Sequence, residues 1–164
     1  MTFNVLVLCT GNSARSILGE MLFNHFGRGR IKAYSAGSKP GGVVNPVAIE
    51  TLQRHGVPCE GARSKSWDEF NAGAVASAPT IDFIFTVCGN AAAETCPVWP
   101  GHPTTAHWGI PDPAHVEPME ARREAFEQAY QSLKQRIEAF LALPLETMTP
   151  QESALAARRI HTGE

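Results

Sequence analysis

An α/β fold built on a parallel sheet flanked by helices is predicted by three features of the chain. Residues 3–8 and 81–87 are short, almost wholly apolar runs rich in β-branched and aromatic side chains, as strands covered on both faces are. Between the first run and the next β-rich segment the apolar residues recur at helical spacing. Near the C-terminus a long stripe steps by 4, 3, 4 and 3 through Phe126, Tyr130, Leu133, Ile137 and Phe140. With 164 residues, the chain matches one domain at about 100–150 residues apiece. It is expected to divide into a domain over 1–142 and a tail over 143–164.

The elements follow in order. Residues 3–8 form a candidate central strand. After residues 9–16, Ile17, Leu18, Met21, Leu22 and Phe26 mark a helix that starts inside the preceding motif, with stop signals at Gly27 and Gly29. Residues 31–36 read as a second strand, and Gly37, Pro40, Gly41 and Gly42 as a loop. Asn45 caps a helix with Pro46 at its first position and Gly56 as its stop. Residues 57–66 lack periodicity and read as surface loop, followed by a short helix from Trp67 or Asp68. The run at 81–87 suits a buried parallel strand ending at Cys88, and residues 90–95 a short Ala-rich helical turn before Cys96 and Pro97. Residues 104–108 complete the strands. In the tail, Thr149-Pro150-Gln151-Glu152 is a capping box. The apolar stripe behind it is weak, so the tail is expected to be partly helical or flexible.

Fourteen Lys and Arg against sixteen Asp and Glu give a net charge of −2, which lacks the basic footprint of a nucleic-acid binder. The apolar run at 3–8 has no basic flank and is too short for a signal segment or a membrane span, so a cytoplasmic protein with no membrane partner is expected. Four cysteines, Cys9, Cys59, Cys88 and Cys96, are too few for a disulfide framework in a chain of this length, which directs attention to reactive roles.

Cys9-Thr10-Gly11-Asn12-Ser13-Ala14-Arg15-Ser16 places a thiol, five residues and an arginine between a buried strand and a helix. The backbone N–H groups of Thr10, Gly11, Asn12, Ser13 and Ala14 are expected to line an oxyanion cradle. The helix start adds roughly half a positive charge, and Arg15 can grip two oxygens. The same field favours a Cys9 thiolate, hence a nucleophile. Ser16 is positioned to donate to that thiolate, Asn12 to hold the loop, and Gly11 to let backbone approach the ligand. Outside that setting, Cys9 reads as a small buried hydrophobe and Arg15 as a solvated helix residue. Pro111-Asp112-Pro113 supplies a rigid, proline-bracketed carboxyl group, so Asp112 is the candidate general acid.

These residues resemble the low-molecular-weight protein tyrosine phosphatases and, within them, the arsenate reductases of the same fold. The resemblance covers residues 3–140. It rests on the Cys9 loop, Tyr34-Ser35-Ala36-Gly37, Asn45-Pro46, Val87-Cys88-Gly89, Glu94-Thr95-Cys96-Pro97, His107-Trp108-Gly109 and Asp112-Pro113. It implies a four-stranded parallel sheet, with the acid on a loop over the cradle. Ala114 and His115 stand where phosphatases of this fold usually carry tyrosines.

Cys88 and Cys96 resemble the resolving pair of the reductases. The resemblance implies a relay: Cys9 attacks arsenate, Cys88 attacks the Cys9 sulfur as arsenite leaves, and Cys96 then forms a Cys88–Cys96 disulfide. Thioredoxin, or glutathione with glutaredoxin, is the implied reductant; relatives coupled to glutathione or mycothiol resolve the adduct differently. Ala14 stands where some thioredoxin-linked relatives carry another cysteine. Some relatives bind potassium beside the loop, and Asn12, Glu20, Ser35 and Ser64 occupy the matching positions. No cofactor is required for the chemistry.

The sequence leaves two other readings, a phosphatase using Cys9, Arg15 and Asp112 alone, and a non-enzymatic oxyanion or arsenite binder. Cys59 reads as a passive thiol, and Cys88 and Cys96 have a plainer reading as core thiols. His25, His55, His107 and His115 read as surface or hydrogen-bonded residues. Zinc ligation by Cys96, His102 and His107 matches no structural zinc spacing.

Overall fold

The computed structural model describes residues 2–70, 80–87 and 104–162. Its elements run β1 (Phe3–Leu8), α1 (Arg15–Gly27), β2 (Ile31–Ala36), α2 (Pro46–Arg54), β3 (Phe83–Thr86), β4 (Thr104–His107), α3 (Met119–Leu141) and α4 (Pro150–Thr162). Single turns of 3₁₀ helix lie at Trp67–Phe70 and Leu145–Thr147. The four strands form one parallel sheet in the order β2-β1-β3-β4, flanked by helices. Among the described residues no helix is long and apolar enough to cross a membrane.

The almost wholly apolar run of β1 is explained by its place: a central strand is covered on both faces, and Val5, Leu6, Val7 and Leu8 are all within 1% of complete burial. At the sheet edge, β4 buries only Ala106 fully. Chain order makes β1 the switch point, since β2 pairs on one side of it and the next strand, β3, on the other. Ligands of open α/β sheets bind at the carboxyl ends of strands flanking such a point. Here Leu8 lies opposite both Ala36 and Thr86, so the segment starting at Cys9 leaves the sheet there.

Phe23 of α1, Phe85 of β3, Trp108 and Phe140 of α3 form an aromatic centre, with the Phe85 and Trp108 rings 4.1 Å apart. This sets α1 and α3 against the strands that carry the site. Asn45 caps α2 as expected, its Oδ1 accepting from the Val47 N–H at 2.9 Å. The stop of α1 differs from the expectation. Gly27 is still helical, and a Cβ there would lie 2.7 Å from Ile31 Cβ; Arg28, at φ +47°, and Gly29, at +83°, end the helix.

The tail is a docked helix. Trp108 Nε1 donates to the Ala157 carbonyl at 2.8 Å and Arg158 Nη2 to that of Thr105 at 3.2 Å. Its apolar stripe is weak because its most buried residues, Ser153 and Ala157, are small. The capping box closes as expected: the Glu152 N–H donates to Thr149 Oγ1 at 3.1 Å and the Thr149 N–H to Glu152 Oε1 at 2.9 Å. These bonds hold the Glu152 carboxyl below its ordinary 4.5, the backbone bond foremost, so this support is complete above that pH and lost as acid protonates it. Replacing Thr149 with Ala removes the cap at a cost of about 1 kcal/mol. Amide exchange in α4 should then speed up about fivefold at neutral pH, and unchanged exchange would show that the cap does not hold the helix.

Candidate active site

The loop after β1 begins with Cys9, which is 6% exposed and whose N–H donates to the Ala36 carbonyl at 3.2 Å. It ends where α1 starts at Arg15. The residue before that start, Ala14, has no side-chain acceptor, so the first turn of α1 carries no side-chain cap. Uncapped N–H groups at a helix start are what an anion binds.

The loop's carbonyls are held from outside. Thr10 O accepts from the Lys39 N–H at 3.0 Å, Gly11 O from Gly41 at 3.1 Å, and Ser13 O from Asn45 at 2.8 Å. Ser64 Oγ adds a second donor to Gly11 O at 3.2 Å. In a trans peptide the N–H points opposite to the carbonyl, so these bonds turn the N–H groups of Gly11, Asn12 and Ala14 toward the concave side. Asn12 sits at φ +45°, in the left-handed region that asparagine tolerates better than most residues. Gly37 backs the loop closely: a Cβ there would lie 2.7 Å from Cys9 O and nearer still to Thr10 O, so only glycine fits.

Asn12 and Ser16 are fully buried. Asn12 Nδ2 donates to Ser16 Oγ at 2.8 Å, and Asn12 Oδ1 accepts the Lys65 N–H at 2.8 Å. Because Lys65 N–H is a donor only, the amide orientation is fixed, and Ser16 serves as acceptor with its own hydrogen left to donate.

Arg15 crosses from α1 to the far loop. Its Nη1 donates to the Ile110 carbonyl at 3.0 Å, and its Nη2 lies 3.6 Å from Asp112 Oδ2. The Ala114 N–H holds Asp112 Oδ1 at 2.9 Å, which directs the other oxygen toward Arg15. Arg136 of α3 anchors the approach to this loop by donating to the carbonyls of Trp108 and Gly109 at 3.0 and 3.2 Å. Asp112 is 43% exposed and so accessible for proton exchange with solvent.

The fold therefore brings Cys9, Arg15, Ser16 and Asp112 to one end of the sheet. Cys88 and Cys96 lie outside the described residues, as do Cys96 and His102 of the zinc combination. His107 bonds Thr86 Oγ1 through Nδ1 at 2.8 Å. Cys59 is half-buried against the core.

The four residues matched to a potassium site meet a different occupant. Lys65 Nζ lies 3.5 Å from both Glu20 Oε1 and Ser35 Oγ, Asn12 is held by the Lys65 backbone, and Ser64 is spent on Gly11. A metal cation would have to displace the ammonium, so these side chains do not fit one. Reading residues 57–66 as surface loop missed this: Val57 and Lys65 are buried, and Gly37 bridges Ser66. No periodicity marks Lys65 in the sequence, because its ionic partner, Glu20, lies 45 positions away.

Comparison with known proteins agrees with this fold. The low molecular weight phosphotyrosine protein phosphatase profile matches residues 4–153. An arsenate reductase from Shouchella clausii is 34% identical over 137 residues, 83% of this chain and 93% of that one. A crystal structure of arsenate reductase from Archaeoglobus fulgidus superposes with a TM-score of 0.58 at 28% identity, covering 82% of this chain and 98% of that one. The tyrosine phosphatase AmsI of Erwinia amylovora superposes at 0.62 with 26% identity, covering 84% and 90%. On the family match, the parallel sheet and the Cys9 loop at its switch point, the chain belongs to the low molecular weight phosphotyrosine protein phosphatase family.

Proposed function

We propose that this chain reduces arsenate to arsenite. The observation that carries the reading is the meeting of the Cys9 loop with Arg15 and Asp112 at 3.6 Å, in a chain 34% identical to a named arsenate reductase. The cradle's N–H groups and Arg15 hold three arsenate oxygens while the Cys9 thiolate attacks arsenic. Asp112 protonates the departing oxygen, which leaves as water.

Reduction needs two electrons. Attack of the Cys88 thiolate on Cys9 Sγ breaks the S–As bond, its electron pair leaves with arsenic as arsenite, and the two sulfurs are oxidised to a disulfide. Cys96 then attacks Cys88 and frees Cys9, giving Cys88–Cys96 for reduction by thioredoxin or by glutathione with glutaredoxin. Support for Cys88 comes from its chain neighbour: Val87 N–H donates to the Leu8 carbonyl at 3.0 Å, one residue before Cys9. Such a cycle requires a reducing compartment, in keeping with a cytoplasmic location. No step uses a metal ion.

Purified protein supplied with thioredoxin, its reductase and NADPH should oxidise NADPH on addition of arsenate. It should hydrolyse an aryl phosphate slowly, since that reaction needs only Cys9, Arg15 and Asp112. Fast aryl phosphate hydrolysis with no arsenate-dependent NADPH oxidation, with glutaredoxin also tried, would establish a phosphatase instead; phosphate binding without either reaction would establish a binding module.

Replacing Asp112 with Asn keeps the shape and removes the proton. Turnover should fall by about 10²–10⁴, with phosphate binding retained. An unchanged turnover number under conditions where chemistry is limiting would leave Asp112 as a turn residue.

A further inference from the structure

Behind the Cys9 loop lies a buried ion pair that the chemistry above does not use. Lys65 is 7% exposed, and its Nζ faces Glu20 Oε1 of α1 at 3.5 Å, Ser35 Oγ of β2 at 3.5 Å and the Arg63 carbonyl at 3.2 Å. Ser35 also donates to Glu20 Oε1. An ammonium this buried is strongly disfavoured alone, and Glu20 supplies the charge that retains it. Burial raises the Glu20 carboxyl and lowers the Lys65 amine from their ordinary values, and the attraction between the two opposes both shifts.

The same residue reaches the cradle through its backbone. Its N–H is bound by Asn12 Oδ1, its carbonyl accepts from the Gly37 N–H at 2.9 Å, and Gly37 packs against the carbonyls of Cys9 and Thr10. Side chain and main chain of Lys65 thus tie α1 and β2 to the residue that holds the loop's left-handed turn and orients Ser16.

We propose that the Lys65 ammonium is the resident cation of the Cys9 loop: it fills the place between Glu20 and Ser35 that a monovalent metal ion would take, and it acts as a positioning residue for the anion cradle through Asn12. The proposal rests on the cradle in the functional reading above and is independent of the thiol relay. It makes anion binding indifferent to potassium. It also makes the site refillable, because removing the side chain leaves a hole lined by a carboxylate and a hydroxyl, suited to a small monovalent cation.

Phosphate affinity by calorimetry and the pH dependence of Cys9 alkylation, followed on the Cys9 peptide, should be compared for wild type, Lys65→Ala and Lys65→Met. Each is measured in potassium chloride and in choline chloride of equal ionic strength. Wild type should behave identically in the two salts. Lys65→Ala in choline should bind phosphate about tenfold more weakly, the scale of one lost charge-assisted bond, and recover in potassium. Lys65→Met should stay weak in both, since its side chain fills the hole without charge. If Lys65→Ala does not fold in choline, a potassium-selective gain in its melting temperature, absent from wild type, reads the same hole.

A wild type whose affinity rises with potassium overturns the proposal. So does a Lys65→Ala variant that binds normally in choline, or one that potassium fails to restore in both affinity and melting temperature. Absence of phosphate binding by wild type in either salt overturns the cradle together with it. Failure of arsenate reduction alone leaves these phosphate and alkylation readouts intact and bears only on the relay.

Discussion

Replacing Cys9 with Ser should abolish arsenate turnover, with a loss on the order of 10⁶-fold, the scale seen when a covalent catalyst loses its nucleophile. The replacement is nearly isosteric at a 6% exposed position, so the fold and melting temperature should change little. A hydroxyl in the same cradle stays protonated near neutral pH and cannot form the disulfide that carries electrons away from arsenic. Aryl phosphate hydrolysis should vanish in parallel, because both reactions begin with the same attack. Phosphate should still bind, since the N–H groups of Gly11, Asn12 and Ala14 are directed by Lys39, Gly41 and Asn45 rather than by the thiol. Arsenate-dependent oxidation of thioredoxin by the Ser variant at even a few per cent of the normal rate would take Cys9 out of the mechanism.

Replacing Cys88 with Ser should have an equally large effect on one reaction and almost none on the other. Without an internal thiol to attack the Cys9 adduct, thioredoxin-driven turnover should stop. Hydrolysis of the aryl phosphate should continue at the wild-type rate, because water resolves a phosphorylated cysteine and Asp112 is unchanged. The contrast separates a reductase from a phosphatase in one protein, and it controls for misfolding because the second activity reports an intact cradle. Loss of both activities would make Cys88 structural; retention of both would move resolution to an external thiol.

How much of this was legible in the sequence depends on whether the signal is local. The strands β1 and β2, the start of α1 inside the Cys9 motif, the Asn45 cap and the stripe of α3 all follow from spacing and capping chemistry within a few residues, and the structure has them at those places. The strand expected over 81–87 pairs only through Phe83–Thr86, though Val87 extends the hydrogen bonding to Leu8. The docking of α4 was not legible because its most buried residues, Ser153 and Ala157, are small and leave no strong apolar stripe.

The site divides along the same line. Cys9, Arg15 and Ser16 share one loop and one helix start, and Asp112 stands out by its flanking prolines. The donors that shape the cradle, Lys39, Gly41, Asn45 and Ser64, lie more than twenty residues from the carbonyls they hold. Lys65 lies 45 residues from Glu20 in sequence, so only the packed chain shows that its ammonium lies between Glu20 and Ser35.

The most direct test of the central claim is to dose reduced wild type and the Cys96→Ser variant with one equivalent of arsenate, quench with acid, and map the disulfides by mass spectrometry while measuring arsenite. The account predicts one arsenite per enzyme in both, with Cys88–Cys96 in the wild type and Cys9–Cys88 trapped in the variant. Arsenite formed with all these thiols still reduced, or no arsenite together with an intact cradle that binds phosphate, would contradict it.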